Sequence, residues 1–241
     1  MKAIILAAGA SRRLLPLTAV TPKCLIDING KSLLDHQLSI LKSFEINDLV
    51  IVVGYKKEFI VEAIESHWTD MNVTFIENTV YDDTNTLHSL WLAKEHLLDD
   101  FLYFNADVLC HRDVVGRLLQ SSYSSCLAID LKKCGDEEVK VLLDNNERID
   151  RIGKDIDVSK AAGEYIGIGK HGSTGNKRFV EILEREVNNG NSNMFFEFAL
   201  NYILEEYDFH MVNVSDLPCI EIDFLEDLEE ARNNVMPRIT G

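Results

Sequence analysis

Near the start of the chain, Leu6-Ala7-Ala8-Gly9-Ala10-Ser11-Arg12-Arg13 runs from an apolar stretch into small residues and then two arginines, with Pro22-Lys23 shortly after. Small side chains let a ligand approach the backbone, and successive N–H groups in such a turn form an anion-binding nest. Arg12, Arg13 and Lys23 add cations close by. Together these groups have the chemistry needed to hold a triphosphate. A tight strand-to-loop turn with surface arginines would use the small residues alone; Arg13 and Lys23 turn the balance toward phosphate. There is no GxxxxGK[ST] and no GxGxxG, so neither a P-loop nor a dinucleotide fingerprint is present.

Two further groups of polar residues stand at the ends of apolar runs. In Asp83-Thr84-Asn85-Thr86-Leu87-His88-Ser89, a cap at Asp83 or Thr84 would put Asn85 and Ser89 one turn apart on one helix face. Their short side chains suit a base edge or a ribose; an ordinary polar helix start is the alternative. Asp107 follows the apolar run Phe101–Phe104, at the carboxyl edge where open α/β sheets bind ligands. Asp223 follows Cys219–Ile222. Mg²⁺ takes one or two carboxylates and keeps its other positions for phosphate oxygens and water, so two converging aspartates would suffice. Against this, Asp107 also reads as a turn residue, and Asp223-Phe224-Leu225-Glu226 as a capping box. Lys140 reads equally as a solvated strand lysine. Trp68, Trp91 and Phe195-Phe196 have the chemistry for a quaternary ammonium, although packing explains each as well. The seven histidines show no metal-like spacing.

The elements that must position these residues alternate in the first half. Strands are expected at Ala3–Leu6, Asp48–Val53, Val73–Ile76 and Phe101–Phe104, with helices over Ser32–Phe44, Glu58–His67 and Thr84–Leu97. Continuous apolar runs such as Asp48–Val53 mark strands buried on both faces, and the βαβα rhythm implies a doubly wound, mostly parallel sheet. After about residue 120 shorter strands follow, at Ser124–Leu131, Glu138–Leu143, Glu147–Ile152 and Glu164–Gly169. Helices are expected over Thr174–Val187, Asn193–Glu206 and Phe224–Asn233, with strands at His210–Val214 and Cys219–Ile222. With no repeat or linker, the expectation is one domain, 1–241, whose β-rich second half covers the first.

Composition limits the partners. With 40 acidic and 24 basic residues the formal charge is -16, which argues against a nucleic-acid or anionic-membrane surface. A polyanionic ligand must then be held by a few placed cations, backbone amides and metal ions. Five scattered cysteines with no CxxC pair read as reduced thiols of a cytoplasmic protein. No apolar run approaches the roughly 20 residues that span a bilayer.

The segment Leu6–Thr18 followed by Pro22-Lys23 resembles the LAAGxGxRLxPLT…PK signature of the sugar-nucleotide pyrophosphorylases and their cytidylyltransferase relatives. The resemblance covers nearly the whole chain. It implies an α/β Rossmann-like nucleotidyltransferase fold in which 1–120 holds the nucleotide and 121–241 the second substrate and a C-terminal metal aspartate. By resemblance Leu6, Ala7, Ala8, Gly9, Ala10 and Ser11 grip the nucleotide, with Asn85, Ser89 and Ala106. Arg13 and Lys23 stabilise the phosphates, and Asp107 and Asp223 hold Mg²⁺. Lys140, Glu164 and Tyr165 match places where relatives meet the second substrate. Ser11 stands where a second glycine is usual, and Thr86 where a second Asn is usual in the choline-phosphate type. The short chain, Asn85…Ser89 and the Asp223-Phe-Leu-Glu-Asp-Leu ending resemble the choline-phosphate and 2-aminoethylphosphonate cytidylyltransferases most. The implied partners are CTP and a small phosphorylated or phosphonate substrate, with a sugar-1-phosphate or inositol-1-phosphate enzyme as the alternative. A regulatory subunit without catalysis should lack Lys23, Asp107 or Asp223; all three are present. Whether the chain forms a homodimer stays open.

Overall fold

The computed structural model describes residues 1–240. The first half contains β1 (Lys2–Ala7), the tiny hairpin β2 (Asp27–Ile28) and β3 (Lys31–Ser32), α1 (Leu33–Ser43), β4 (Asp48–Val53), α2 (Lys57–His67), β5 (Asn72–Glu77), α3 (Thr86–Leu92), β6 (Phe101–Asn105), β7 (Val108–Cys110) and α4 (Arg112–Gln120). The second contains β8 (Cys126–Asp130), β9 (Lys140–Leu143), β10 (Ile149–Gly153), β11 (Gly163–His171), α5 (Asn176–Asn188), α6 (Phe196–Leu204), β12 (His210–Asn213), β13 (Cys219–Glu221), α7 (Leu225–Glu230) and α8 (Met236–Thr240).

The apolar runs of the first half form the parallel centre of the sheet, in the order β5-β4-β1-β6. Successive side chains of a strand point to opposite faces. Accordingly Ala3, Ile5 and Ala7 of β1 pack with Leu34 and Leu38 of α1, Ile60 of α2 and Val114 of α4. Ile4 and Leu6 pack on the other face with Leu87 of α3, Phe179 of α5 and Leu200 of α6. Both faces are thus covered by helices, as a doubly wound sheet requires. Beyond β6 the direction reverses: β11 lies antiparallel to β6, and β8 and β9 lie antiparallel to β11. The sheet is therefore mixed: the first half builds the parallel centre, and the second adds antiparallel strands together with β12, which runs parallel to β8.

A separate two-stranded sheet matters most for the chemistry. β7 pairs antiparallel with β13, with Leu109 opposite Ile220 and Val108 opposite Glu221. The Ile222 N–H extends the ladder by donating to the Asp107 carbonyl at 3.0 Å. The residues at this end of the ladder, Asp107 and Asp223, are therefore brought side by side from the two halves of the chain.

Three local expectations change. The helix expected over Thr84–Leu97 is shorter, because Asn85 rather than Asp83 or Thr84 is its cap, and a 3₁₀ turn at Lys94–His96 follows it. The helix expected over Phe224–Asn233 stops at Glu230 before a wider turn. Helix α4, with its buried face Val114, Val115 and Leu118, was not apparent in the sequence because Gly116 lowers the helix propensity at its centre. A Cβ at Gly116 would lie 3.2 Å from the Phe44 ring, so the glycine serves close packing on the end of α1.

Candidate active site

β1 ends at Ala7, and the chain turns through Ala8–Ser11 at the carboxyl edge of the sheet. Ser11 takes the left-handed conformation, with φ 47°. A second glycine would be at ease in that conformation, and a serine is tolerated there at some cost in strain. Neighbours hold the loop. The Tyr55 N–H donates to the Ala8 carbonyl at 2.9 Å, the Thr18 hydroxyl to the Ser11 carbonyl at 3.1 Å, and the Tyr55 hydroxyl to the Thr18 carbonyl at 2.8 Å. Gly54 must be a glycine, since a Cβ there would stand 2.8 Å from the Ala8 carbonyl oxygen.

This loop forms one wall of a cavity of about 310 Å³. Leu6, Ala7, Gly9 and Ser11 line it, along with Arg13, Lys23, Asn85, Ala106, Asp107 and Asp223. At its floor the Lys23 ammonium donates to Asp107 Oδ2 at 2.8 Å and to Asp223 Oδ1 at 2.7 Å. Burial alone would lower the pKa of Lys23, but the two carboxylates outweigh it and raise it. Burial likewise disfavours the Asp223 carboxylate, yet Lys23 and then Arg13 hold its pKa below the usual range. Arg13 approaches Asp223 Oδ2 at 3.3 Å and lies over the Phe224 ring. The capping-box alternative for Asp223 is answered by Asp227, whose carboxylate accepts the N–H groups of Asp223 and Phe224. The Asp223 side chain is left to the cavity.

The donor set suits a divalent cation. Asp107 Oδ1 is buried with no hydrogen-bond partner, an acceptor left over after Lys23 has taken the other oxygen. Among the described residues no three His, Cys, Asp or Glu side chains are grouped to hold a cation by themselves. Two carboxylates with phosphate oxygens completing the shell are what Mg²⁺ prefers.

Other predicted residues, Asn85 excepted, are drawn into packing away from the cavity wall. Ser89 is buried and accepts from Asn78 Nδ2 at 3.1 Å, while the Asn85 side chain caps α3 by accepting from the Thr86 N–H. Lys140 is only 1% exposed, and its ammonium donates to the carbonyls of Gly135, Asp136 and Glu138. Glu164 pairs with Lys132 at 2.6 Å, and burial raises its pKa despite that partner. The Tyr165 ring packs against Phe196 in the core, with its hydroxyl unpartnered. Trp68 and Trp91 pack on opposite faces of the sheet, so no aromatic cluster forms with Phe195.

Comparison with known proteins places the chain in a family. The model of the MobA-like NTP transferase domain matches residues 3–145. The chain belongs to that family. This NTP transferase is 30% identical to the CTP:phosphoglutamine cytidylyltransferase of Campylobacter jejuni, over 95% of its own length and 98% of the relative's. It is also 30% identical to the choline-phosphate cytidylyltransferase of Streptococcus pneumoniae, covering 97% and 99%. Its fold superposes on the crystal structure of the CTP:phosphocholine cytidylyltransferase from Streptococcus pneumoniae with a TM-score of 0.80, at 26% identity and 96% and 97% coverage. The chain is a nucleotidyltransferase.

Sequence reading missed several residues that shape the transferase site. Gln37, on the buried face of α1, donates from Nε2 to the carbonyls of Asn105 at 2.9 Å and Val108 at 2.8 Å, clamping the turn that presents Ala106-Asp107. A polar residue in a helical core stripe was the available signal. Gln37→Leu is expected to cost about 1–3 kcal/mol of stability by orphaning those carbonyls. It should also lower kcat more than it raises KM for the nucleotide. Urea unfolding and steady-state kinetics test this; unchanged kcat would remove Gln37 from the site's support. Glu221 lines the cavity too, and burial, then the charges of Asp107 and Asp223, raise its pKa well above the carboxylate range. Finally, Val139, Lys154 and Glu197, beside Phe195 already singled out in the sequence, line both this cavity and an adjoining one of about 590 Å³.

Proposed function

We propose that the enzyme transfers CMP from CTP to a small phosphorylated or phosphonate substrate and releases pyrophosphate, with Mg²⁺ as cofactor. The observation that carries this is the convergence of Leu6, Ala7, Gly9 and Ser11 of the first loop with Arg13, Lys23, Asp107 and Asp223 on one cavity, which Ala8 and Ala10 do not line. CTP and an amino-alcohol phosphate, phosphonate or phosphoglutamine are favoured by the cytidylyltransferases to which the chain is similar over nearly its full length. Residues 1–120 would hold the nucleotide and 121–241 the acceptor, within one domain.

The reaction is in-line attack of an acceptor phosphate oxygen on the α-phosphorus, with pyrophosphate departing on the far side. The attacking oxygen is ionised at neutral pH, so no protein nucleophile is required, and the protein's task is positioning and charge neutralisation. The N–H groups of the Leu6–Ser11 loop receive the nucleotide, and Arg13 and Lys23 neutralise charge on its phosphates. Asp107 and Asp223 would hold Mg²⁺, which supplies Lewis-acid neutralisation of the phosphate oxygens. Lys154, at the junction of the two cavities and, among the described residues, ion-paired only with exposed Glu137 at 4.0 Å, is placed to steady the acceptor phosphate. The five cysteines are all free, in keeping with a cytoplasmic protein, and among the described residues no helix is long and apolar enough to cross a membrane.

The test is pyrophosphate release with Mg²⁺ and CTP, comparing phosphocholine, 2-aminoethylphosphonate, glucose-1-phosphate and inositol-1-phosphate, then repeating with UTP, ATP and GTP. Turnover with CTP and an amine-bearing acceptor is expected. Turnover confined to a sugar or inositol phosphate would overturn the acceptor class, and no pyrophosphate from any pair would overturn the transferase assignment of the cavity.

A further inference from the structure

The larger cavity of about 590 Å³ opens beside the catalytic one, between the β10 turn and the first turns of α6. Its wall is mostly apolar, and one feature stands out: Glu197, 5% exposed, faces both cavities with its Oε2 buried and without a partner. Burial raises its pKa to about 7, opposed first by a backbone hydrogen bond and then by the charge of Lys154. A buried carboxylate oxygen without a donor is costly, and native proteins rarely leave one so unless a ligand completes it.

We infer that this neck is the acceptor's head-group site, and that Glu197 selects a head group carrying an N–H-bearing ammonium over a quaternary one. This rests on the cytidylyltransferase reading for the kind of acceptor, and adds which amine is taken. The discrimination has two physical sources. A primary ammonium donates hydrogen bonds and would satisfy Oε2, whereas a trimethylammonium has no donor and would bury the oxygen unpaired. Quaternary ammonium ions are otherwise held on the faces of aromatic rings. Here the aromatic rings of the cavity are already engaged. The Lys154 ammonium lies 5.3 Å from the centre of the Phe195 ring, the Arg185 guanidinium 4.5 Å from that of Tyr202, and Phe198 stands edge-to-face with Tyr202. A second cation on Phe195 or Tyr202 would meet a like charge. Lys154, at the neck, faces the phosphate end of such an acceptor, so the amine and the phosphate are read by opposite charges on either side of the neck.

The experiment is an N-methyl series: phosphoethanolamine, its mono- and dimethyl derivatives, and phosphocholine. Each is measured for CTP-dependent pyrophosphate release, and the two end members also for direct binding to the full chain by calorimetry. In the wild type, kcat/KM and affinity should fall about tenfold or more from the primary to the quaternary amine. E197Q, which keeps shape and removes charge, should cut affinity for phosphoethanolamine about tenfold and that for phosphocholine much less. A flat series, a preference for phosphocholine, or an equal loss for both amines in E197Q would overturn the inference while leaving the CTP reading standing. No measurable binding of either amine would overturn it as well. Glu197-dependent binding of phosphoethanolamine without CTP turnover would support the head-group site and sink the choice of nucleotide instead.

Discussion

Lys23→Met is expected to lower turnover about a hundredfold or more while the chain stays folded, because it removes the one ammonium at the cavity floor. The Lys23 Nζ is held between Asp107 and Asp223 by two short hydrogen bonds. Its removal leaves two carboxylates facing each other across a mostly buried site, with Glu221 close by. Breaking such a pair from one side is worse than never having it, and a loss of about 2 kcal/mol or more in stability is expected. The pH dependence separates this from simple loss of packing. The Asp223 pKa is depressed in the folded chain. It therefore contributes stability above the unfolded carboxylate pKa of about 3.9, lost as pH falls through the folded value. The Lys23 pKa is raised, so its contribution is present below the unfolded lysine pKa of about 10.4 and lost as pH rises past the folded value. Thermal melts without divalent cation should show the Lys23→Met deficit at neutral pH, shrinking below about pH 4 as the carboxylates protonate. A deficit independent of pH would mean that the methylene stem, not the charge, matters; near-normal turnover would remove Lys23 from the chemistry.

How far these residues could be found beforehand depended on how local their signals are. The loop Leu6–Ser11 with Arg13 and Lys23 falls within one short stretch of sequence, and its small residues follow a strand that is apolar after Lys2, so both its shape and its charge were legible. The parallel strands were legible for the same reason: Asp48–Val53 was expected and found with identical bounds. Asp107 and Asp223 could be named singly, but their convergence could not be derived from spacing. It comes from the β7–β13 pairing, and β7 is a three-residue strand too short to show any periodicity.

The second substrate's side was least legible. Lys140 and Glu164 sit in segments of the right kind, but the strand register turns Lys140 toward the carbonyls of Gly135, Asp136 and Glu138, and Glu164 toward Lys132. Glu197 looked like any helical glutamate. Its significance lies in a missing partner, and a missing partner is a property of packing that no local pattern encodes. Asn85 shows the intermediate case: it does line the cavity, yet as the cap of α3 rather than as the first helical face residue.

Asp107→Asn should have the second large effect, and it isolates the metal from the lysine. The amide oxygen of Asn can still accept from Lys23, so shape and that hydrogen bond are largely kept, while one full negative charge is lost. What goes with it is Oδ1, the buried oxygen that has no partner in the protein. If that oxygen is a cation ligand, turnover should drop about a hundredfold and the Mg²⁺ concentration for half-maximal rate should rise, with stability little changed or slightly improved. Relief is expected because one charge is removed from a site where Asp107, Asp223 and Glu221 crowd together. Asp223→Asn should be milder in its metal dependence, since Asp223 Oδ2 already faces Arg13 at 3.3 Å and shares its charge. The decisive comparison is a Mg²⁺ titration of rate for both variants beside the wild type. A Mg²⁺ requirement unchanged in Asp107→Asn would place the cation elsewhere and leave Asp107 as no more than the partner that orients Lys23.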